Sequence, residues 1–240
     1  MSAEEYPRVL VTGASRGLGR KTALGLASNG WKVTACARPS SELESLGRLL
    51  SVQAGNVVGC DLTQETGVEE LISATGLGFE AVVHALGGTL SVRDSLFSAK
   101  ELQEVVAHNL SVAIELNRRL VPVMSTKEGG QGGTLIHISS LASVVNLGSP
   151  SYSIAKSMLN AYVRNLDNSF RSQGIKVFNI LPSRIALERG QETKHVEVTA
   201  EAVFDLIDFL LSERAAIVSG STFFADANSA KMVGQGMFES

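Results

Sequence analysis

Short apolar runs alternate along the chain with longer stretches in which hydrophobic residues recur every three to four positions. The runs lie near 8–12, 31–37, 56–60, 80–85, 133–138, 175–181 and 216–225, a length that suits strands better than helices. Helical spacing fills the intervals; Leu18, Thr22, Leu24 and Leu26, for example, follow directly on the first run. Segments such as Ala81-Val82-Val83 and Lys176-Val177-Phe178 read as nearly continuous apolar runs, as strands covered on both faces do. Strand and helix signals in regular succession predict the α/β class. The expected architecture is a single doubly wound domain over 1–240, with a parallel sheet of about seven strands and helices on both faces.

Composition removes several alternatives. A chain of 240 residues can bury a substantial core, and neither a linker nor a composition break divides it. The glycine-rich stretch Gly129–Gly133 reads as a loop into the fifth strand. With 21 Lys and Arg against 24 Asp and Glu, the net charge is −3 and no basic stripe invites nucleic acid. No signal peptide and no apolar run near 18 residues is present, so a cytoplasmic protein without a membrane partner is expected. Cys36 and Cys60 lack C-x-x-C spacing and sit in apolar strand contexts, which favours a reduced setting. The histidines at 84, 108, 137 and 195 lack metal-ligand spacing, so no metal is expected; His137, inside a strand, reads as a packing residue.

Two motifs carry chemistry. The first strand stops at Gly13-Ala14-Ser15-Arg16-Gly17-Leu18-Gly19 before a helix begins. Glycines there allow a sharp turn and close approach of a pyrophosphate, whose charge the helix N-terminus attracts. The second motif is Tyr152-Ser-Ile-Ala-Lys156. Residues four apart share a helix face, so the lysine charge can favour the phenolate of a side chain whose ordinary pKa is near ~10. Ser139 lies thirteen residues before Tyr152, at the carboxyl edge of its strand, and Ser140 beside it is chemically identical.

Thr12, Gly13, Gly17 and Gly19 match the pattern T-G-x-x-x-G-x-G, and with it the chain resembles the short-chain dehydrogenase/reductase family over nearly its whole length. The resemblance implies a Rossmann fold and an active-site set of Asn109, Ser139, Tyr152 and Lys156; the family offset from tyrosine selects Ser139 over Ser140. It further implies that Asn109 kinks its helix and holds a relay water, and that Lys156 also meets the nicotinamide ribose. The implied cofactor contacts are Gly13, Ser15, Arg16, Gly17, Leu18, Gly19, Arg38, Asp61, Leu62, Gly87, Tyr152, Lys156, Pro182 and Ile185. Taken singly, Asn109 could end a helix, Lys156 could be a solvated charge, and Asp61 could cap the helix near Thr63. At the end of the second strand, where an acid would favour NAD, the chain has Ala37 and Arg38; with Arg16, that predicts NADPH/NADP+. A homo-oligomer, tetramer or dimer, is implied through the long helix carrying Ala161, Tyr162, Leu166 and Phe170.

The chain departs from the family at two places. The usual Asn-Asn-Ala-Gly is His84-Ala85-Leu86-Gly87, and the usual Pro-Gly is Pro182-Ser183, which loses a glycine's freedom. The stretch His84–Asp94 is similar to members linked to bacterial nonulosonic acid and surface-sugar pathways, with Arg93 available to a carboxylate. The short segment from Ser183 to Val198 carries Arg184, Glu188, Arg189 and His195, which favours a small polar substrate such as a keto sugar. The expected reaction is NADPH-dependent reduction of a carbonyl with Tyr152 as general acid. Alternatives are a 3-oxoacyl-carrier-protein reductase, which would need a basic docking patch such as Arg118-Arg119, an extended-branch epimerase, and a catalytically silent nucleotide-binding regulator.

Overall fold

A computed structural model describes residues 6–145, 148–186 and 197–226. Its main sheet runs in the order β3 (Asn56–Gly59), β2 (Lys32–Ala37), β1 (Arg8–Thr12), β4 (Ala81–His84), β5 (Gly133–Ile138), β6 (Ile175–Pro182) and β9 (Thr222–Ala225). Every pairing in it is parallel. The order reverses between β1 and β4, and this is the switch point at which such sheets open a crevice beyond the carboxyl ends of their strands. A separate two-stranded sheet joins β7 (Arg184–Ala186) to β8 (Glu197–Thr199).

Alternation along each strand splits the core between two faces. Val9, Val11, Ala81, Val83, Ile136 and Ile138 face one cluster; Leu10, Val82 and Leu135 face the other. The first cluster is covered by α1 (Gly17–Ser28), α2 (Ser41–Leu50) and α7 (Ala200–Leu211), through residues such as Leu26, Leu46 and Ile207. The second is covered by α3 (Glu65–Thr75), α5 (Val112–Met124) and α6 (Pro150–Phe170), through Leu71, Leu116 and Leu159. In α6 the buried positions Ala155, Leu159, Val163 and Leu166 make one inward stripe at helical spacing. Proline at its first position, where the N–H has no helical partner, sets the start of this helix.

The expected strands recur with small boundary shifts except the last. Residues 216–218 belong to a 3-10 turn, Glu213–Val218, and only Thr222–Ala225 are extended. Ser219 and Gly220 break the run: Gly220 takes φ +82 and its N–H bonds to Val177 O at 2.8 Å, which carries the chain over the end of β6. Glu188, Arg189 and His195 lie outside the described residues. No helix among the described residues is long and apolar enough to cross a membrane.

Candidate active site

The crevice at the switch point is a cleft of about 650 Å³. Ten of the fourteen expected cofactor residues line it: Gly13, Ser15, Arg16, Gly17, Leu18, Gly19, Arg38, Asp61, Leu62 and Gly87. They come from the turns that follow β1, β2, β3 and β4. Gly13 sits at φ +67, and a Cβ there would stand 2.8 Å from Leu86 Cα, so only glycine lets the first turn pass the loop after β4. A Cβ on Gly87 would meet Asn109 Oδ1 at 2.8 Å and Lys156 Nζ at 2.9 Å. No side chain caps α1, which leaves its first N–H groups available to an anion at the cleft.

Asp61 does not cap a helix. Its Oδ1 accepts from Thr63 N at 3.0 Å and Thr63 Oγ1 at 2.8 Å in a local turn, while α3 starts later, at Glu65. Burial alone would raise its pKa, but the Thr63 bonds and the nearby Arg38 charge hold it below the usual value.

Among the nine further residues that line the cleft, an acid and a histidine bear on its charge. Glu42, in the first turn of α2, joins Arg16 and Arg38 on the wall, so an acid does stand near the arginines, contrary to expectation. Its carboxyl pKa is lowered by backbone and serine hydrogen bonds and, more weakly, by Arg16. The one available signal was Ser40, a helix cap that returns the next turn to the sheet edge; its Oγ accepts from Leu43 N at 3.2 Å. His108 is the other, half-buried beside Gly87, with a pKa lowered by burial and then by Arg38 and Lys156. Its only signal is its place beside Asn109. Pro182 and Ile185 end β6 and follow it, outside the lining of this cleft. Ser183 has an ordinary negative φ and bonds to Ala225 O at 3.0 Å, so the missing glycine leaves no backbone strain there.

Asn109 lies in a wide π turn, Ala107–Ser111, between α4 (Ala99–Val106) and α5. Its Nδ2 donates to Val105 O at 2.9 Å, occupying the carbonyl that the helical ladder would use, and to Gly88 O at 2.8 Å. Gly88 N returns a bond to Asn109 Oδ1 at 3.0 Å. The asparagine therefore takes one carbonyl out of the helical ladder within the π turn and holds the loop after β4.

Tyr152 stands in the first turn of α6 and Lys156 one turn on. Lys156 is buried and its Nζ donates to Ile138 O at 2.8 Å. Its ammonium lies 5.7 Å from the Tyr152 ring centroid. Burial pushes the lysine down to about 7. Burial also raises the phenol, against a smaller opposing effect of a hydrogen bond with Ser140. The expected lowering of the tyrosine by its lysine is thus absent, because desolvation penalises both charged forms.

The hydroxyl expected at the tyrosine is also corrected. Ser139 is buried and turned inward, with its Oγ donating to Asn160 Oδ1 at 2.6 Å and contacting Lys156 O at 3.3 Å. Ser140, half-buried on the opposite face, is the serine bonded to Tyr152. Beside it, Ser149 Oγ bonds to Val92 O and lies 3.0 Å from Ser151 Oγ, tying the loop after β4 to the start of α6. Leu90 and Ser91 in that loop take left-handed φ values of 48 and 66, strain of the kind found at binding sites. Arg93 is exposed.

The short chain dehydrogenase model matches residues 7–197. The chain belongs to the short chain dehydrogenase family. Its members are oxidoreductases dependent on a nicotinamide dinucleotide, and the glycine cradle and cleft fit that group. The chain is 30% identical to the oxidoreductase YgfF of Escherichia coli over 237 residues, 88% of this chain and 95% of that protein. Among solved structures, L-sorbose reductase from Gluconobacter frateurii, complexed with NADPH and L-sorbose, is similar with a TM-score of 0.82 and 23% identity, covering 92% and 95% of the two chains. A 3-oxoacyl-[acyl-carrier protein] reductase from Brucella melitensis with bound NAD gives 0.81 and 24%, covering 92% and 90%.

Proposed function

We propose that this short chain dehydrogenase reduces the carbonyl of a small polar substrate, such as a keto sugar, with NADPH as cofactor. The observation that carries the reading is the placement of Tyr152 one helical turn before a buried lysine, Lys156, whose Nζ stands against Gly87 at the edge of a nucleotide-sized cleft. When bound, the nicotinamide supplies the hydride. Tyr152 holds the proton that the new alkoxide oxygen takes up, and its raised pKa keeps it protonated in neutral solution. Ser140, in place of Ser139, donates to the same oxygen and orients the carbonyl. Lys156 sits beside Gly87 and Asn109, where its Nζ is within reach of a ribose and can restore the proton to the phenol. Asn109 fixes the loop that ends in Gly87 and Gly88. General acid catalysis of this kind contributes ~10²- to 10⁴-fold.

The phosphate-bearing cofactor is favoured by Arg16 and Arg38 and opposed by Glu42, so we infer a moderate preference in place of an exclusive one. The loop Ala85–Asp94, with its strained Leu90 and Ser91 and its exposed Arg93 and Asp94, supports a hydrophilic substrate of the surface-sugar type. An acyl carrier is less well served: Arg118 pairs with Glu115, and Arg119 with Glu115 and Glu69, so neither is free to form a docking patch. A silent regulator would not need the tyrosine, serine, lysine and asparagine in one constellation. Self-association through α5 and α6 would use Ile114, Ile154 and Met158, which are exposed, while Leu166 faces the core and cannot serve. The free thiols of Cys36 and Cys60 suit a reducing, cytoplasmic setting.

In NADPH turnover against keto sugars, keto acids and acyl thioesters, Tyr152→Phe should abolish activity while cofactor affinity stays within a few-fold. Retained turnover in the folded variant overturns the mechanism. Arg38→Ala should weaken NADPH about tenfold and NADH hardly at all, since one charge-assisted bond contributes roughly 1.5 to 3 kcal/mol before screening. Equal losses for both cofactors would remove the phosphate contact.

A further inference from the structure

The only two cysteines of the chain touch. Cys36 lies near the carboxyl end of β2 and Cys60 directly after β3, its neighbour in the sheet. The register pairs Cys36 with Val58, so Cys60 stands two residues farther along, on the same face. Cys60 N donates to Ala37 O at 3.0 Å, which holds the two strand ends together, and the sulfurs lie 3.3 Å apart. Both residues line the nucleotide cleft, and each lies close in sequence to a charged lining residue, Arg38 two positions after Cys36 and Asp61 directly after Cys60.

We propose that Cys36 and Cys60 are an oxidation site, a dithiol that a small peroxide closes to a disulfide, disabling the adenosine end of the cleft. The proposal rests on reading that cleft as the nucleotide site. The hydrogen bond between the sulfurs divides their roles: it lowers the Cys60 pKa and, together with burial, raises that of Cys36. Both thiols are buried, Cys36 completely and Cys60 at 3% exposure, and Cys60, the less enclosed of the two, is the one that attacks as thiolate. Its sulfur takes one peroxide oxygen, the O–O bond breaks, and the departing hydroxide leaves as water after taking up a proton, which yields a sulfenic acid. Cys36 sulfur then attacks Cys60 sulfur, the S–O bond breaks, and the hydroxide leaves as water with the Cys36 proton. Two thiols and one peroxide give one disulfide and two waters. Closing the sulfurs from 3.3 Å to the ~2.05 Å of a disulfide draws the ends of β2 and β3 together, and Arg38 and Asp61 move with them. Binding and oxidation must then oppose each other, since coupling between two events is reciprocal.

The protein without nucleotide is treated with hydrogen peroxide, and its intact mass, free thiols and NADP+ affinity are measured before and after. The expected result is a loss of 2 Da in the monomer, loss of both thiols, and at least tenfold weaker NADP+ binding that dithiothreitol restores. Saturating NADP+ should slow the mass change several-fold. Cys36→Ser and Cys60→Ser, with Cys36→Ala and Cys60→Ala as backups should a serine unfold the core, should show no 2 Da loss, and the NADP+ affinity of each, compared with its own untreated form, should not change with peroxide. Gains of 16 or 32 Da without the 2 Da loss, or an unchanged affinity in the disulfide form, overturn the proposal. Failure of the untreated parent to bind NADP+ overturns instead the nucleotide reading on which it rests.

Discussion

At the end of β5 two adjacent hydroxyls have opposite roles because successive side chains along extended backbone leave on opposite faces. Ser139 goes inward to Asn160, whose Oδ1 also accepts from Asn179 Nδ2 at 3.0 Å, while Ser140 goes outward to the phenol and accepts from Ala142 N at 3.2 Å. Ser140→Ala should therefore lower kcat/KM by ~10²-fold, the usual cost of a lost donor at a reacting oxygen. Ser139→Ala should leave kcat/KM within a few-fold and cost about 1 kcal/mol of stability, because Asn160 keeps its second donor. Kinetics and thermal melts on both variants decide the matter, and a larger kinetic loss in Ser139→Ala would restore the serine that the spacing selects. The thirteen-residue offset misleads here because spacing counts residues along the chain, whereas the face on which a side chain emerges is set by where the strand ends. The same limit hid Glu42 and His108, which reach the cleft through a returning helix and a π turn.

Between elements, a buried polar chain ties β4 and β5 to the helices over them. His84 and His137 are register partners on adjacent strands, and their rings stack at 4.6 Å. Asn117 of α5 meets His84 Nε2 at 2.8 Å and His137 Nε2 at 3.1 Å, and also donates to Tyr162 Oη of α6 at 3.1 Å. His137 is thus a buried packing residue, as expected, but only its Nε2 is partnered, by Asn117, while its Nδ1 is left without a hydrogen bond; the histidine that replaces the family's asparagine at 84 has a structural use. Burial pushes His84 down to about 4 and lowers His137 as well. The folded rings refuse protons that the unfolded rings accept, so this contribution is intact above about pH 6.5 and is lost as pH falls towards 4. Urea unfolding at pH 7 and pH 4.5 should show an acid loss smaller by about 2 to 3 kcal/mol in His84→Gln than in the parent. An identical pH dependence would mean that the ring is protonated in the fold. The strands themselves were readable because parallel strands buried on both faces leave uninterrupted apolar runs. The seventh was misjudged at its start, since Ala216, Ile217 and Val218 belong to a 3-10 turn with the same hydrophobicity a strand would show.

For the whole molecule, the buried lysine of the proposed active site opposes folding. Lys156 is enclosed by β5, the π turn and α6, with its Nζ bonded to one carbonyl, and burial pushes it down to about 7. An unfolded lysine keeps its proton until about pH 10.4, so between pH 7 and 10 the unfolded chain binds more protons and stability rises with pH. At pH 7 the site therefore carries a cost of several kcal/mol, a large share of the roughly 5 to 15 kcal/mol by which a domain is stable. Lys156→Met keeps most of the volume and removes the charge. It should unfold at a higher temperature than the parent at pH 7 while turnover is lost, and its advantage should shrink by about 2 to 3 kcal/mol by pH 9.5, where the parent's unfolded chain has begun to release the proton. Parallel melts of parent and variant at the two pH values cancel the titration of groups that do not feel the lysine, and the histidines that do are neutral across this range. If the variant is the less stable protein at pH 7, the Ile138 bond outweighs the desolvation, and the lysine belongs to the structural core as much as to the chemistry.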